Sequence, residues 1–276
     1  MIEIGHYNEL VVSRHSEPGV YLIDEEGNEI LLPNKYVTEE MQTGSNLKVF
    51  VYKDSEDRPV ATTERPYAII DEFAFLYVKD VNQVGAFLDW GLEKDLFVPF
   101  REQAQKMVSG KSYVVYIYFD LKTERVVASG KLSQFTKNDF IELEDGQEVD
   151  LMICNKTDIG VNVIINNMYE GLIFQNEIFQ NIQTGDRTRG YIKSVREDDK
   201  IDVSLEKLGY DSIEPNSKHL LNQLKFKDGF IPLNDKSDPE LIKSTLEMSK
   251  KTFKKAVGNL YKQKLIRLED DGIHLI

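Results

Sequence analysis

Residues that commonly perform catalysis are sparse in this chain. Its four histidines, His6, His15, His219 and His274, lie far apart without the spacing of a metal site. Cys154 is the single cysteine, which excludes a disulfide framework and a cysteine-rich zinc site. No nucleophile elbow, phosphate-binding loop or dinucleotide fingerprint is present. The sequence therefore predicts a protein that is not an enzyme and needs neither cofactor nor metal.

Lysines near the end of the sequence are the residues best suited to bind phosphate. No acidic residue lies between Met248 and Ile266, and each lysine that meets a phosphate strengthens binding and releases counterions. A lysine-rich helix face also serves as ordinary solvated surface or as a protein-contact surface, and both alternatives stay open. The candidate phosphate ligands are Lys250, Lys251, Lys254 and Lys255, with Lys262 and Lys264 beside them.

Hydrophobic residues around these lysines recur with a helical period that begins after Leu208-Gly209. A Ser-Asp-Pro-Glu start at residues 237–240 indicates a helix N-terminus, and Asp270-Asp-Gly272 indicates a hairpin turn. The order of elements predicts a winged helix-turn-helix domain over residues 207–276, whose last helix is the recognition helix. The predicted elements are helices at Ser217–Leu224, from Ser237 and at Lys250–Lys264, and strands at Phe230–Leu233, Leu265–Glu269 and Ile273–Ile276.

The rest of the chain repeats itself. Residues 10–63 align with residues 76–129 at a constant offset of 66, so that Gly44 falls on Gly110. A third copy follows at an offset of 75 and places Gly185 on Gly110. The recurrence of glycine at this position predicts a turn with positive φ.

Five short strands are predicted in each copy, with a long connection between the third and the fourth strand. This pattern describes an OB-type barrel. The sequence thus predicts a multidomain, mainly β chain with OB-type five-stranded barrels at residues 1–65, 66–139 and 140–206 before the α+β winged helix. The predicted strands are Phe73–Val78, Gly85–Trp90, Asp95–Pro99, Ser112–Phe119 and Arg125–Ser129 in the second copy, and Glu148–Cys154, Gly160–Ile165, Glu170–Phe174, Thr188–Val195 and Lys200–Leu205 in the third.

Charge is distributed unevenly along the chain. The formal net charge is −13, of which residues 207–276 contribute +3 and the first 206 residues −16. This balance argues against nonspecific adhesion of the barrels to nucleic acid or to anionic lipid, so any polyanion site there must be local. Since no signal peptide or membrane span is recognisable, we expect a cytoplasmic protein without membrane contact.

Several segments of the repeat resemble the S1 RNA-binding domain. Gly85-Ala-Phe87 matches one strand of the family pattern, and Glu170-Gly-Leu-Ile-Phe174 and Lys200-Ile-Asp-Val-Ser-Leu205 match later strands. Three such modules followed by a small helical domain look like the bacterial family of conserved virulence factor B. The resemblance covers essentially the whole chain and implies tandem OB-fold barrels that bind RNA.

In S1 domains, RNA lies across a barrel face that bears two aromatic residues, a histidine, an aspartate and an arginine. By resemblance, Phe87 of the second copy matches the second aromatic residue, Arg125 the arginine, and Asp120 the aspartate with one extra intervening residue. Valines replace the first aromatic residue and the histidine. Trp90, at a strand end, is either an exposed stacking platform or a barrel plug. The second copy is the best preserved of the three.

The other copies keep fewer of these positions. The first retains Tyr21 and Asp54, and in the third Phe174 takes the place of the histidine and Lys200 that of the arginine. Every assignment has a structural alternative. A strand aromatic commonly fills a barrel core, and a strand-edge cation is commonly solvated.

We interpret the chain as a non-enzymatic bacterial regulator of gene expression that binds single-stranded RNA. Bases would stack on Phe87 with Arg125 near a phosphate, and the C-terminal lysines would extend the track. DNA is an alternative ligand of the winged helix. A scaffold whose acidic barrels bind a basic protein is a second hypothesis, and a carboxylate-only magnesium nuclease is a third.

Overall fold

The computed structural model describes residues 1–178, 180–206, 215–269 and 271–276. In these residues, three closed five-stranded barrels precede a helical domain with a three-stranded sheet, which confirms the predicted mainly β multidomain fold. The predicted start of the helical period at Leu208-Gly209 and residue Asp270 of the predicted hairpin turn lie outside the described residues. No described helix has the length and apolar character needed to cross a membrane.

All three barrels have the same strand order. Within each barrel, the strands are hydrogen-bonded in the order first, second, third, fifth and fourth, and the fourth strand closes the barrel on the first. The third and fifth strands are parallel. The first barrel contains β1 Tyr7–Ser16, β2 Gly19–Ile23, β3 Glu29–Pro33, β4 Asn46–Lys53 and β5 Pro59–Thr62. The second contains β6 Phe73–Val81, β7 Gly85–Leu88, β8 Leu96–Pro99, β9 Ser112–Asp120 and β10 Arg125–Ser129. The third contains β11 Glu148–Lys156, β12 Gly160–Ile165, β13 Tyr169–Phe174, β14 Arg187–Val195 and β15 Ile201–Ser204.

The strands predicted in the second and third copies are all present, with differences at their ends. Strand β6 runs three residues beyond its predicted end, because a shift of register between Val78 and Asp80 lets it bend and continue. Strand β7 stops at Leu88 rather than Trp90, because Oδ1 of Asp89 accepts the Gly91 N–H at 3.0 Å and turns the chain.

Glycine recurs in the barrels because the backbone requires it. Gly44, Gly110 and Gly185 have φ values of +91°, +84° and +94°, which confirms the predicted turn. The N–H of each donates to a first-strand carbonyl at the register shift, at 2.8, 3.0 and 2.8 Å. A second set of glycines also recurs at one position of each barrel: Gly19, Gly85 and Gly160. A Cβ atom at any of these positions would collide with the backbone of the third strand of the same barrel.

Apolar residues of the second and third barrels form one shared cluster. Phe73 and Val114 come from the second barrel, and Met152, Cys154 and Ile164 from the third. All five side chains are buried. Removal of this apolar surface from water stabilises the contact between these residues.

The winged-helix domain contains the predicted elements in the predicted order. Oδ1 of Asp238 accepts the Glu240 N–H at 2.8 Å at one helix start, and Oγ of Ser249 accepts the Thr252 N–H at 3.1 Å at the next. The last helix ends two residues before Lys264, which has a left-handed φ of +55°. The elements are α1 Pro215–Phe226, β16 Phe230–Ile231, α2 Pro239–Leu246, α3 Lys250–Lys262, β17 Ile266–Glu269 and β18 Gly272–Leu275, with sheet order β16-β18-β17.

Candidate nucleic-acid interface

Phe87 and Phe97 form an aromatic pair on the second barrel. They are cross-strand partners in β7 and β8, with ring centroids 5.2 Å apart and ring planes inclined by 36°. Both side chains are half-buried and line a cleft of about 600 Å³ between the first and second barrels. Partly exposed aromatic rings are the surfaces on which unpaired bases stack.

Three cationic side chains also line this cleft: Arg125, Lys94 and Lys53. Arg125 begins β10, and its side chain is 51% exposed. Nζ of Lys94 donates to the carbonyl oxygen of Asp54 at 2.6 Å. Lys53 is largely buried, with its Nζ 3.7 Å from Oε2 of Glu124. The cleft therefore joins an apolar aromatic surface to positive charge, although the chain as a whole is acidic.

Asp57 of the first barrel bridges two of these cations. Its Oδ2 accepts a hydrogen bond from Nη2 of Arg125, and its Oδ1 accepts one from Nζ of Lys94 at 3.1 Å. The two hydrogen bonds hold the pKa of Asp57 below its ordinary value, and the bond from Arg125 makes the larger contribution. The ionised carboxylate thus neutralises charge at the cleft.

Trp90 is not a stacking platform. Its side chain is 3% exposed, its Nε1–H donates to the carbonyl oxygen of Ala68 at 2.7 Å, and its ring meets Phe50 of the first barrel edge-on at 5.6 Å. The buried indole needs that hydrogen-bond partner, and the chain supplies it internally. Trp90 therefore plugs the contact between the two barrels.

Asp120 organises a turn. It is the register partner of Arg125, but its carboxylate accepts hydrogen bonds from the Lys122 N–H at 3.1 Å and the Thr123 hydroxyl at 3.0 Å. The hydrogen bond from the Lys122 backbone is the main cause of the lowered pKa of Asp120. Its nearest cation is Arg101, whose Nη2 lies 3.5 Å away. The structure does not bring Asp120 into the cleft lining with Phe87.

The candidates of the other two barrels are engaged locally. The guanidinium of Arg14 lies 3.8 Å from the ring centroid of Tyr21 and covers it. In the third barrel, Phe174 is half-buried at the end of β13. Lys200 precedes β15 and binds Oδ2 of Asp198 through its Nζ at 2.6 Å. These residues give weaker support to RNA contact than the pair in the second barrel.

Lysines of α3 form one exposed face. Their spacing of three, four and seven residues places them on the same side of the helix. Gly258 lies among them with open space where a Cβ would project. Lys250 differs, because its half-buried side chain donates from Nζ to the carbonyl oxygen of Ser237 at 2.8 Å and fixes the start of α2. The face consists of Lys251, Lys254, Lys255 and Lys262.

The groove between α3 and the β17–β18 hairpin carries mixed charge. Lys254 and Lys236 line it together with Glu269 and Asp271. Nε2 of His274 lies 2.9 Å from Oδ1 of Asp271 and lowers the pKa of that carboxyl group. These acids oppose phosphate on the hairpin side, so the lysine face is the better polyanion surface of the domain.

Sequence reasoning did not identify Lys94, Asp57 or Phe97 as site residues. Lys94 lies in the mixed-charge segment Glu93–Asp95, where hydrophobic periodicity carries no signal. Asp57 is 68 residues from Arg125. The one available signal was the cross-strand position of Phe97 opposite Phe87, which follows from the antiparallel register.

Comparison with known proteins connects both ends of the chain to described domains. Residues 4–64 match the S1 domain model, and residues 218–275 match the CvfB-like winged helix domain. YitL of Bacillus subtilis is 29% identical over 273 residues, covering 94% of this chain and 89% of that protein. Conserved virulence factor B of Staphylococcus saprophyticus is 25% identical over 258 residues, covering 90% and 86%. A crystal structure of a multidomain protein with nucleic acid binding domains from Streptococcus pneumoniae is 22% identical, covers 99% of this chain and 98% of that one, and has a TM-score of 0.46.

Proposed function

We propose that this chain, which is similar over 94% of its length to YitL and over 90% to conserved virulence factor B, binds single-stranded RNA as a non-enzymatic bacterial regulator of gene expression. The observation that carries the proposal is the Phe87–Phe97 pair beside Arg125 and Lys94 in one cleft.

Base stacking supplies the favourable energy at this cleft. An aromatic side chain contributes about 1–3 kcal/mol per stacked base, and every base has a face to offer. Arg125 and Lys94 then hold the backbone through charge-assisted hydrogen bonds to phosphate. This combination favours single strands, because the bases of a duplex are stacked on one another and are not free to enter the cleft.

The acidic barrels shape how this binding responds to salt. The net charge of −13 repels RNA at long range, and salt screens that repulsion. Salt also weakens the local phosphate contacts. Because the two effects oppose each other, we expect a shallower salt dependence than a basic RNA-binding protein shows.

The lysine face of α3 provides a second contact for the nucleic-acid backbone. Once RNA is bound at one of two linked sites, the effective concentration of that RNA at the second site is high. The affinity of the two sites together therefore exceeds that of either site alone. Duplex DNA is the alternative ligand of this face, because α3 is the recognition helix of the helix-turn-helix.

The ion pairs of the carboxylates around the cleft support the proposal that the protein binds RNA without catalysis. Each one that borders it is engaged by a cation: Asp57 by Arg125 and Lys94, Glu93 by Lys35, and Asp95 by Lys79 at 2.7 Å. A carboxylate held in this way serves poorly as a general base.

Fluorescence anisotropy with the full-length protein and a labelled single-stranded RNA tests the proposal. We expect saturable binding that unlabelled single-stranded RNA competes away and duplex RNA does not, with the RNA intact after incubation with Mg²⁺. Absence of binding, together with capture of a basic protein, would favour the scaffold. Cleavage of the RNA that depends on Mg²⁺ would favour the nuclease.

A further inference from the structure

The turn between β4 and β5 of the first barrel presents a carboxylate to the cleft of the second. Asp54 organises this turn, since its Oδ1 accepts the N–H groups of Glu56 at 2.8 Å and Arg58 at 3.0 Å. Asp57 follows with a left-handed φ of +60°. A defined backbone conformation therefore delivers the Asp57 side chain.

The two oxygens of Asp57 contact different cations of the second barrel. Oδ2 accepts from Nη2 of Arg125, and Oδ1 accepts from Nζ of Lys94 at 3.1 Å. The Lys94 ammonium is held at the turn by the carbonyl oxygen of Asp54. An anion whose two oxygens bridge an arginine and a lysine is arranged as a phosphodiester group would be.

We infer that Asp57 occupies the position of an RNA backbone phosphate, and that single-stranded RNA displaces it when a base stacks on the Phe87–Phe97 pair. Arg125 and Lys94 line the same cleft as both rings, so one nucleotide reaches the aromatic surface and the cations together. The inference rests on the proposed function and adds that the first barrel competes with RNA for the cations of the second.

Displacement is feasible because the contact is exposed. The side chains of Asp57 and Arg125 are 40% and 51% accessible to solvent, and ion pairs at such positions are weak. When a phosphate without a stacking base replaces the Asp57 carboxylate, one anion takes the place of another and the gain in binding free energy is small. Asp57 therefore favours single-stranded RNA over polyanions that lack accessible bases.

The variant Asp57→Asn tests this directly. Asparagine tolerates a left-handed φ, so the turn is retained while the charge is lost. Glu56→Gln is the matched control, because Glu56 lies on the same turn and binds Arg58 at 2.9 Å. We expect Asp57→Asn to bind labelled single-stranded RNA about three- to tenfold more tightly than Glu56→Gln, and to gain binding to heparin.

Four other outcomes would count against the inference or its premise. Equal affinities of Asp57→Asn and Glu56→Gln, or weaker binding by a folded Asp57→Asn, would overturn the inference and leave RNA binding intact. A gain that persists when Lys94→Gln and Arg125→Gln are also present would overturn it too, since the cations would not be its cause. Failure of the wild type and both variants to bind RNA would instead overturn the proposed function, and the inference with it.

Discussion

Asn167 of the third barrel completes the backbone hydrogen bonding of the second barrel at Phe73. Its Oδ1 accepts the Phe73 N–H at 2.8 Å, and its Nδ2 donates to the carbonyl oxygen of Asp71 at 2.9 Å. Phe73 is fully buried in the cluster shared by the two barrels. One side chain therefore satisfies two backbone groups at the edge of an apolar interface, and its loss leaves the partly buried N–H of Phe73 without this acceptor.

Replacement of Asn167 is expected to weaken the contact between the barrels. Asn167 has a left-handed φ of +57°, so Asn167→Gly removes both hydrogen bonds without backbone strain. We expect it to lower the free energy of unfolding by about 1–3 kcal/mol, measured by urea denaturation. Asn167→Asp, which keeps the acceptor for Phe73, should lose less. Equal stability of wild type and both variants would show that the hydrogen bonds contribute nothing.

Cys154 provides a chemical probe of the same interface. The thiol is 3% exposed, and burial raises its pKa to about 12. Since the thiolate is the reactive form, the native protein should resist iodoacetamide near pH 8, and urea should expose the group to rapid alkylation. Asn167→Gly should be alkylated faster than wild type under native conditions. Complete alkylation of the native wild type within minutes would contradict the buried position.

Asp24 sets part of the acid sensitivity of the first barrel. Hydrogen bonds from the side chain and backbone of Asn28, each at 2.8 Å, lower the pKa of Asp24 from 3.8 to about 2. Because the pKa is lowered in the folded state, the stabilisation is complete above the ordinary value near 3.8 and is lost as the pH falls toward 2. Asp24→Asn should therefore flatten the fall in unfolding free energy across this range.

The control for Asp24 is Glu25→Gln, which removes one negative charge from the same turn. Urea denaturation at a series of acidic pH values compares the two variants with the wild type. Glu25→Gln should keep the pH dependence of the wild type. Identical pH profiles for Asp24→Asn and the wild type would show that the carboxylate does not contribute.

The lysine face of α3 is expected to contact the nucleic-acid backbone. Lys254→Glu/Lys255→Glu should weaken binding of single-stranded RNA about three- to tenfold and reduce the salt dependence, because phosphate contacts are lost. Lys227→Glu/Lys243→Glu makes the same charge change at exposed positions of the same domain outside α3. Equal weakening by the two double variants would assign the effect to overall charge rather than to the helix face.

The framework of the fold was predictable because its determinants recur along the sequence. The glycine at 44, 110 and 185 marks the same left-handed turn in each barrel, and the residues at 237–240 mark the start of α2 through local capping. Such features depend on neighbours in the sequence. Strand and helix positions follow from them with only small shifts at the ends.

The candidate site was less predictable because its contacts join different repeats. Trp90 lies beside Asp89 and Gly91, a polar turn, but its partner is Phe50 of the preceding barrel. The pairing of Arg125 with Asp57 likewise crosses between barrels. Periodicity within one copy carries no information on how two copies pack, so the cleft was visible only in three dimensions.

The most direct test of the proposed RNA site compares Phe87→Leu with Phe140→Leu in the anisotropy assay. Leucine keeps most of the apolar volume and removes the aromatic face on which a base would stack. Phe140 is 70% exposed in a loop and does not line the cleft, which makes it the matched control. With both variants folded, as circular dichroism and thermal unfolding would show, we expect Phe87→Leu to weaken binding of single-stranded RNA about five- to fiftyfold and Phe140→Leu to leave it unchanged. Equal affinity of the wild type and both variants would contradict a binding site at Phe87.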